Sequence, residues 1–544
     1  MQKYLPKAPG RFFMIAVLLI SFATSSKAQS VYLPQSYQFY QKFNGQVYSK
    51  SNKLHTSLRP FLIDSSLTGR YNELMSVGVD SSRTSWVSRK LFNEHLLEVN
   101  TKDYTFYADL LTENIGGKDF KDKSLGSNFK PIGFGLKTQL GINTRGFQVG
   151  GTIGTKFSFY TSGYENQGVF ANYYSNYVNR TGMVPGQAYD RSFGKTQKDW
   201  SYATAVLSYS PTNYLNITLG QDKTFIGDGY RSLLLSDYSA NYPLLRVTAD
   251  LGPVRYMMMW TYLQDIKATK FDDLGSNRRK YALYHYFDWN ITNSVSMGLF
   301  HAVVMPEADD QGNRVGFSPN FINPLFFTSS NKRNVPTNSL VGYTVKYKFI
   351  DKNAIYGQAL LDNVNGQNTK ANKTYGLQAG IRGGDVGGIK NLSYLLEYNR
   401  VKPYTYSSSY SLSSYTFYGE PLAHPLGANF KELVGILNYS LGRVDFQGQL
   451  NYAKYGLDAN GENNGKDVNF PFAVTNPSGN VGQGLTTDLY YAEGTVSLLI
   501  NPKYNLRFEL GGLYRNEKNA LGNNKNVLLT FGLRSTFRNL YHDF

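Results

Sequence analysis

Apolar and polar residues alternate with period two through much of the last third of the chain. From Val444 to Tyr452, the residues Val444, Phe446, Gly448, Leu450 and Tyr452 interleave with Asp445, Gln447, Gln449 and Asn451. From Tyr504 to Leu510, the set Tyr504, Leu506, Phe508 and Leu510 interleaves with Asn505, Arg507 and Glu509. Further on, Val527, Leu529, Phe531, Leu533 and Phe537 oppose Thr530, Gly532, Arg534, Thr536 and Arg538. Successive side chains of a strand point to opposite faces, so each segment presents one apolar and one polar face. Every charge falls on the polar face. A strand between lipid and a watery lumen requires this, because a charge turned to hydrocarbon costs about 2–4 kcal/mol.

The pattern extends backwards to predict eighteen strands, near 103–111, 133–143, 147–160, 199–210, 213–222, 243–251, 253–264, 280–290, 294–304, 338–350, 353–363, 373–384, 388–400, 430–441, 444–455, 489–501, 504–516 and 526–537. Short joins alternate with long ones. The short ones fall at Asn143–Gly146, Pro211–Asn213, Gly252–Pro253, Ile291–Asn293, Asp351–Asn353, Leu441–Arg443 and Asn501–Lys503, with a slightly longer one near Gly383–Gly388. That alternation is the signature of an up-and-down barrel and has no reason to appear in a Greek-key sandwich. The fold expected is therefore all-β, an antiparallel transmembrane β-barrel over residues 101–544. An even strand number puts both ends of the barrel on one side, so residues 29–100 are expected in the periplasm or plugging the barrel from below. Within them, Ser85 to Val99 has helical spacing at Phe92, Leu96 and Val99, with Ser85 as cap, and reads as a docked helix closing the lumen. Leu540-Tyr541-His542-Asp543-Phe544 reads as a terminal aromatic directly after an amphipathic strand.

Composition sharpens the membrane reading. Residues 1–28 resemble a secretory signal peptide: Lys3, Lys7 and Arg11 precede an apolar run from Phe12 to Ala23, and Ser26-Lys27-Ala28 supplies the cleavage region. Beyond it no apolar run reaches about 18 residues, so no helix is expected to span a bilayer. The 44 tyrosines, 34 phenylalanines and 52 glycines suit aromatic girdles and tight barrel turns. Cysteine is absent, which excludes disulfides, thiol catalysis and thiolate metal sites. The formal charge of +17 falls to +13 once Lys3, Lys7, Arg11 and Lys27 are set aside. The excess favours anionic neighbours such as lipid phosphates or acidic polysaccharide. Nucleic acid is not expected as a partner of an exported chain.

Candidate chemistry concentrates in Gly220 to Arg246, a connection holding three acids, two arginines, a Gly-Asp-Gly turn and the triple leucine Leu233–Leu235. The external loops Asn172–Gly194, Phe317–Phe327 and Tyr418–Gly427 carry similar prolines, aromatics and buried-type apolars. Such loops are expected to fold inward and occlude the mouth. Gly227-Asp-Gly-Tyr-Arg-Ser-Leu-Leu-Leu-Ser-Asp237, followed by Tyr242-Pro243 and Arg246, together with Phe321–Pro324 and His424-Pro-Leu-Gly427, resembles the Wzi-type capsule-assembly family of outer-membrane barrels. Within it the motifs look closest to the RemB-type gliding-motility relatives of Bacteroidetes, although Leu244 stands where those relatives suggest an aromatic. The resemblance implies an occluded barrel in the cell outer membrane that recognises surface polysaccharide without catalysis.

The ligand-binding candidates are Asp228, Tyr230, Arg231, Asp237, Tyr242, Arg246 and His424. Arginine forks suit anionic sugars, and tyrosine rings suit stacking on sugar faces. Against this stands a structural alternative in which Arg231 and Arg246 pair with Asp228, Asp237 or Asp222 and the rings fill the mouth. The three acids match no known cation loop, and His424 comes with no nucleophile motif, so no cofactor, metal or enzyme activity is expected. The expected partners are surface polysaccharide or lipopolysaccharide and outer-membrane lipids. A substrate-specific channel and a subunit of an envelope secretion or motility complex are the alternatives.

Overall fold

The computed structural model describes residues 32–61, 65–192, 195–268, 270, 276–315, 336–362, 374–458, 461–472 and 479–544. The expected signal peptide and the Phe317–Phe327 loop lie outside these residues. Eighteen antiparallel strands close into one barrel: β1 (Tyr104–Asp119), β2 (Leu140–Ile153), β3 (Phe157–Val169), β4 (Lys198–Thr212), β5 (Leu215–Asp222), β6 (Tyr242–Leu251), β7 (Val254–Asp265), β8 (Arg278–Asn290), β9 (Val295–Pro306), β10 (Asn338–Ile350), β11 (Asn353–Asp362), β12 (Tyr375–Gly384), β13 (Leu392–Val401), β14 (Phe430–Leu441), β15 (Val444–Leu457), β16 (Leu485–Asn501), β17 (Leu506–Asn519) and β18 (Gly522–Ser535). Closure is made by β18 on β1, in register from Leu528↔Asp119 to Arg534↔Glu113. The faces are as the period demands. On β15, Phe446 and Leu450 are exposed outward, while Asp445, Gln449 and Asn451 are buried inward.

Three expectations about the wall are corrected. The join at Asn143–Gly146 lies inside β2, and the tight turn is at 154–156. Those residues have other work: Asn143 accepts from the Ile132 amide and donates to the Lys130 carbonyl. A Cβ on Gly146 would lie 2.8 Å from the Tyr164 ring of the neighbouring strand. The alternation of short and long joins breaks once, between β17 and β18, where Ala520-Leu521 is the whole connection on the long-loop side. The last strand ends at Ser535, not at Phe537, and residues 536–544 turn back into the barrel. There Arg538 donates to Glu113 at 2.9 Å and to Asn166 at 2.6 Å. The Phe544 ring packs against Tyr174 and Tyr177.

Residues 32–61 also enter the barrel. Leu58-Arg59 pair as a short antiparallel ladder with Phe225-Ile226, and Phe39, Tyr40, Phe43 and Phe61 are buried together with Phe537. The helix predicted from Ser85 does form, as Trp86–Phe92, with the Ser85 hydroxyl accepting from the Ser88 amide at 3.2 Å. It is held on the rim at the β16–β17 turn, where Asn501 donates to the Lys90 and Glu94 carbonyls.

Candidate functional site

The connection from β5 to β6 lies within the barrel, tied to inward-facing residues of β4, β7 and β10 to β14. Its Gly-Asp-Gly turn is dictated by close approach: a Cβ on Gly227 would lie 2.0 Å from Gln358, and one on Gly229 2.2 Å from Glu397. Between them Asp228 is buried and accepts hydroxyl hydrogen bonds from Tyr48 at 2.9 Å, from Ser57 at 2.6 Å and from Thr56. Burial alone would raise its pKa, but Lys346 and the Ser57 and Thr56 hydroxyls outweigh it and bring the carboxyl down to about 2.

Arg231 is 1% exposed and forms the centre of the network. Its Nη2 donates to Glu432 at 3.3 Å and to the Asp543 carboxylate at 2.8 Å, and its amide donates to Glu397 at 3.1 Å. Burial disfavours the cation, yet Asp543 and Glu432 raise the Arg231 pKa well above its ordinary value. Tyr230 donates its hydroxyl to Asp543 at 3.0 Å. His424 touches the same carboxylate as Arg231, with Nε2 2.8 Å from Glu432. Its Nδ1 accepts from the Leu426 amide at 3.1 Å, so the proton sits on Nε2 in the neutral ring. Burial lowers the His424 pKa although Glu432 opposes this.

Leu233, Leu234 and Leu235 are buried among Met257, Tyr284, Phe300, Leu340 and Leu360. Ser232 caps the turn, accepting from the Leu234 and Leu235 amides. Tyr406 and Tyr415 donate to the Leu233 and Leu234 carbonyls, each at 2.8 Å. Asp237 accepts from Asn539 at 2.6 Å and from Tyr541 at 2.5 Å. Tyr242 accepts from the Thr224 amide at 3.0 Å, and Arg246 donates to the Thr224 hydroxyl at 3.0 Å.

The seven candidate residues therefore share one luminal core. Arg231, Tyr230 and His424 meet through Glu432 and Asp543; Asp228 and Asp237 are fixed by the two chain segments that enter the barrel. The ion pairs formed by Arg231 are with Glu432 and Asp543 rather than with Asp222, Asp228 or Asp237. Sequence reasoning missed Gln358, Gln378, Glu397 and Glu432. Their signal was available, since each is a polar residue on the inward face of a period-two strand; Glu397, for instance, lies between outward Leu396 and Tyr398. The contributions of Tyr48, Thr56, Ser57 and Asp543 come from segments whose entry into the lumen no local pattern encodes. Among the described residues, no group of three or more His, Asp or Glu side chains is placed to hold a metal ion.

No protein-family model matches the sequence. No curated protein matches it either. Among solved structures the chain is similar to Wzi of Escherichia coli, an outer membrane protein involved in group 1 capsule assembly and a carbohydrate-binding β-barrel. The TM-score is 0.56 at 14% identity, over 92% of this chain and 99% of that one. Pseudomonas aeruginosa OprD follows with a TM-score of 0.41 at 10% identity, over 79% of this chain and 94% of that one. Acinetobacter baumannii OccAB4 has a TM-score of 0.41 at 10% identity, over 79% of this chain and 97% of that one. The likeness to Wzi speaks for the fold. A closed eighteen-strand barrel with an apolar outer face belongs in the outer membrane.

Proposed function

We propose that this barrel binds or organises surface polysaccharide at its long-loop end and carries out no reaction. The observation that supports it best is the ion-paired anchoring of Arg231 to Glu432 and Asp543, which fixes the β5–β6 connection inside the barrel. A loop held this way closes the lumen and gives the outer connections a rigid base. On this reading, Asp228, Tyr230, Arg231, Asp237, Tyr242, Arg246 and His424 serve ligand retention from below, by holding the surface that meets the glycan. Half-buried Tyr189 and Tyr418, paired at 4.8 Å between ring centroids in two long connections, offer ring faces suited to sugars. The carbohydrate binding ascribed to Wzi of Escherichia coli is in keeping with this reading. The finer assignment to a gliding-type relative rests on the loop motifs.

The test is binding of purified capsular polysaccharides to the reconstituted chain, compared with Arg231→Ala. Retention is expected to weaken in the variant while the barrel stays folded. Equal binding, together with equal protease resistance of the loops, would refute the reading. A substrate-specific channel is the second reading, favoured by a cavity of 180 Å³ whose lining includes Glu493, Arg507, Glu509, Arg534 and Arg538. Steady large openings in planar bilayers would select it.

A further inference from the structure

The short helix Trp86–Phe92 carries an apolar face that no described residue covers. Trp86 is 59% exposed, Val87 65% and Leu91 42%. At 3.6 residues per turn these three span about 140° of the helix circumference. The opposite side is the held one, where the Phe92 ring lies 4.1 Å beneath the Arg83 guanidinium.

The place of the helix in the fold says what that face meets. The helix is pinned to the short-turn rim by Asn501 and Tyr504 at the β16–β17 turn. Five residues after Phe92, the strand Leu97–Asn100 adds to the lower half of β1, pairing Leu97 with Ala108 and Val99 with Phe106. Directly opposed residues of an antiparallel pair share a face. Tyr107, Asp109 and Leu111 point inward, so Phe106, Ala108 and exposed Leu110 point outward, and Leu97 and Val99 join them on the lipid side. Both are exposed, at 58% and 42%. The outer apolar band also runs down to the short turns themselves, where Ile350 and Leu441 end their strands exposed. The hydrocarbon boundary therefore lies at the rim, and the helix sits at headgroup depth, continuous with the wall's lipid-facing surface. Arg83, Arg89 and Lys90 stand beside Asp80 and Glu94, an excess of one positive charge. Tryptophan at one end of an apolar stripe with basic neighbours is the chemistry of an interfacial helix.

We infer that Trp86–Phe92 lies in the leaflet on the short-turn side as a membrane-surface anchor, with Trp86, Val87 and Leu91 in the acyl boundary. It fastens the N-terminal segment, and with it the Tyr48, Thr56 and Ser57 donors to Asp228, to the lipid as well as to the wall.

The absence of cysteine makes the test direct. Val87→Cys, Leu91→Cys, Leu498→Cys on the outer wall and Ser82→Cys beside the helix are spin-labelled one at a time in the full chain. Each is reconstituted into bilayers of phosphatidylethanolamine and phosphatidylglycerol, and heat-modifiable migration on gels confirms that each barrel has folded. The readout is collision with oxygen against collision with a water-soluble nickel chelate. Positions 87 and 91 are expected to match the oxygen-rich profile of 498, and position 82 the nickel-rich profile of water. A nickel-rich profile at 87 and 91 would overturn the inference. So would shielding from both reagents, which would mean that a second copy or another protein covers the face.

Discussion

The luminal core has two unlike halves. Toward β6–β11 it is apolar: Leu233, Leu234 and Leu235 meet Leu244, Met257, Met259, Tyr284, Phe300, Leu340 and Leu360 with no solvent exposure to speak of. Toward β16–β1 it is ionic. Arg534 pairs with Glu113 at 2.9 Å and with Glu509 at 3.3 Å, Arg507 with Glu509 at 3.0 Å, and Arg538 with Glu113 at 2.9 Å, around the 180 Å³ cavity. Packing tolerates no water, whereas charges are cheaper to bury where some water remains. The same loop is thus gripped on one side by shape and on the other by charge. Arg231, Glu432 and Asp543 lie at the seam, and the largest effect is expected there. Arg231→Ala leaves two carboxylates buried without their cation, which costs about 4 kcal/mol. Proteolysis is expected to reach Lys223, normally buried, while the barrel band keeps its heat-modifiable migration.

The apolar half is expected to give way next. Leu234→Ala removes a fully buried side chain whose Cδ2 lies where a Cβ on Gly342 would stand, at 2.3 Å. A loss of about 3 kcal/mol is expected from transfer and cavity terms together. Loop proteolysis checks it, and conductance separates it from the seam: a collapse in the apolar half should not widen the ionic cavity. If both variants open the channel equally, the two halves are not distinct.

How much of this was legible in the sequence follows from what a local pattern can encode. The wall was, because period two is set by each strand's own two environments: on β15, Leu450 must face lipid and Gln449 must not. The 133–160 region was misread because Asn143 and Gly146 are turn residues by type, while the structure uses them for a side-chain clamp and for an aromatic neighbour. The Gly-Asp-Gly motif was recognisable as ordered, but its partners were not. Asp228 is held by Tyr48, Thr56 and Ser57, more than 170 residues away in sequence. Likewise, Phe537 and Arg538 continue the alternation of β18, yet beyond Ser535 there is no strand partner, and Arg538 finds Glu113 inside the barrel instead.

Acid is expected to loosen the seam from the Asp228 side. The folded carboxyl titrates at about 2 against 3.8 for the free group, so its contribution is complete above pH 3.8 and is lost as pH falls toward 2. The amount is about 2 kcal/mol. Pepsin cleavage of the loop should rise over that interval in the wild type, and Asp228→Asn should flatten the rise.

The smallest effect tests whether His424 belongs to the ionic half by charge or only by contact. Its neutral ring donates to Glu432, which also accepts from Asn399 at 3.3 Å and from Arg231, so His424→Gln should cost only about 1 kcal/mol. The pH profile is more telling. Burial holds the folded pKa below the ordinary histidine value of 6.5, so the unfolded loop takes up the proton first and stability falls as pH drops below 6.5. Glu420, raised to about 8 by burial, acts with the opposite sign. His542, lowered to about 4 by burial, acts with the same sign. Both are present in wild type and variant, so the difference between their proteolysis profiles from pH 7.5 to 5.5 isolates His424. A difference that narrows on acidification, and then changes sign, means the variant escapes a penalty the wild type feels, as a neutral buried ring requires. A difference that widens on acidification would mean that His424 is protonated in place and is a third member of the Arg231–Glu432 ion cluster.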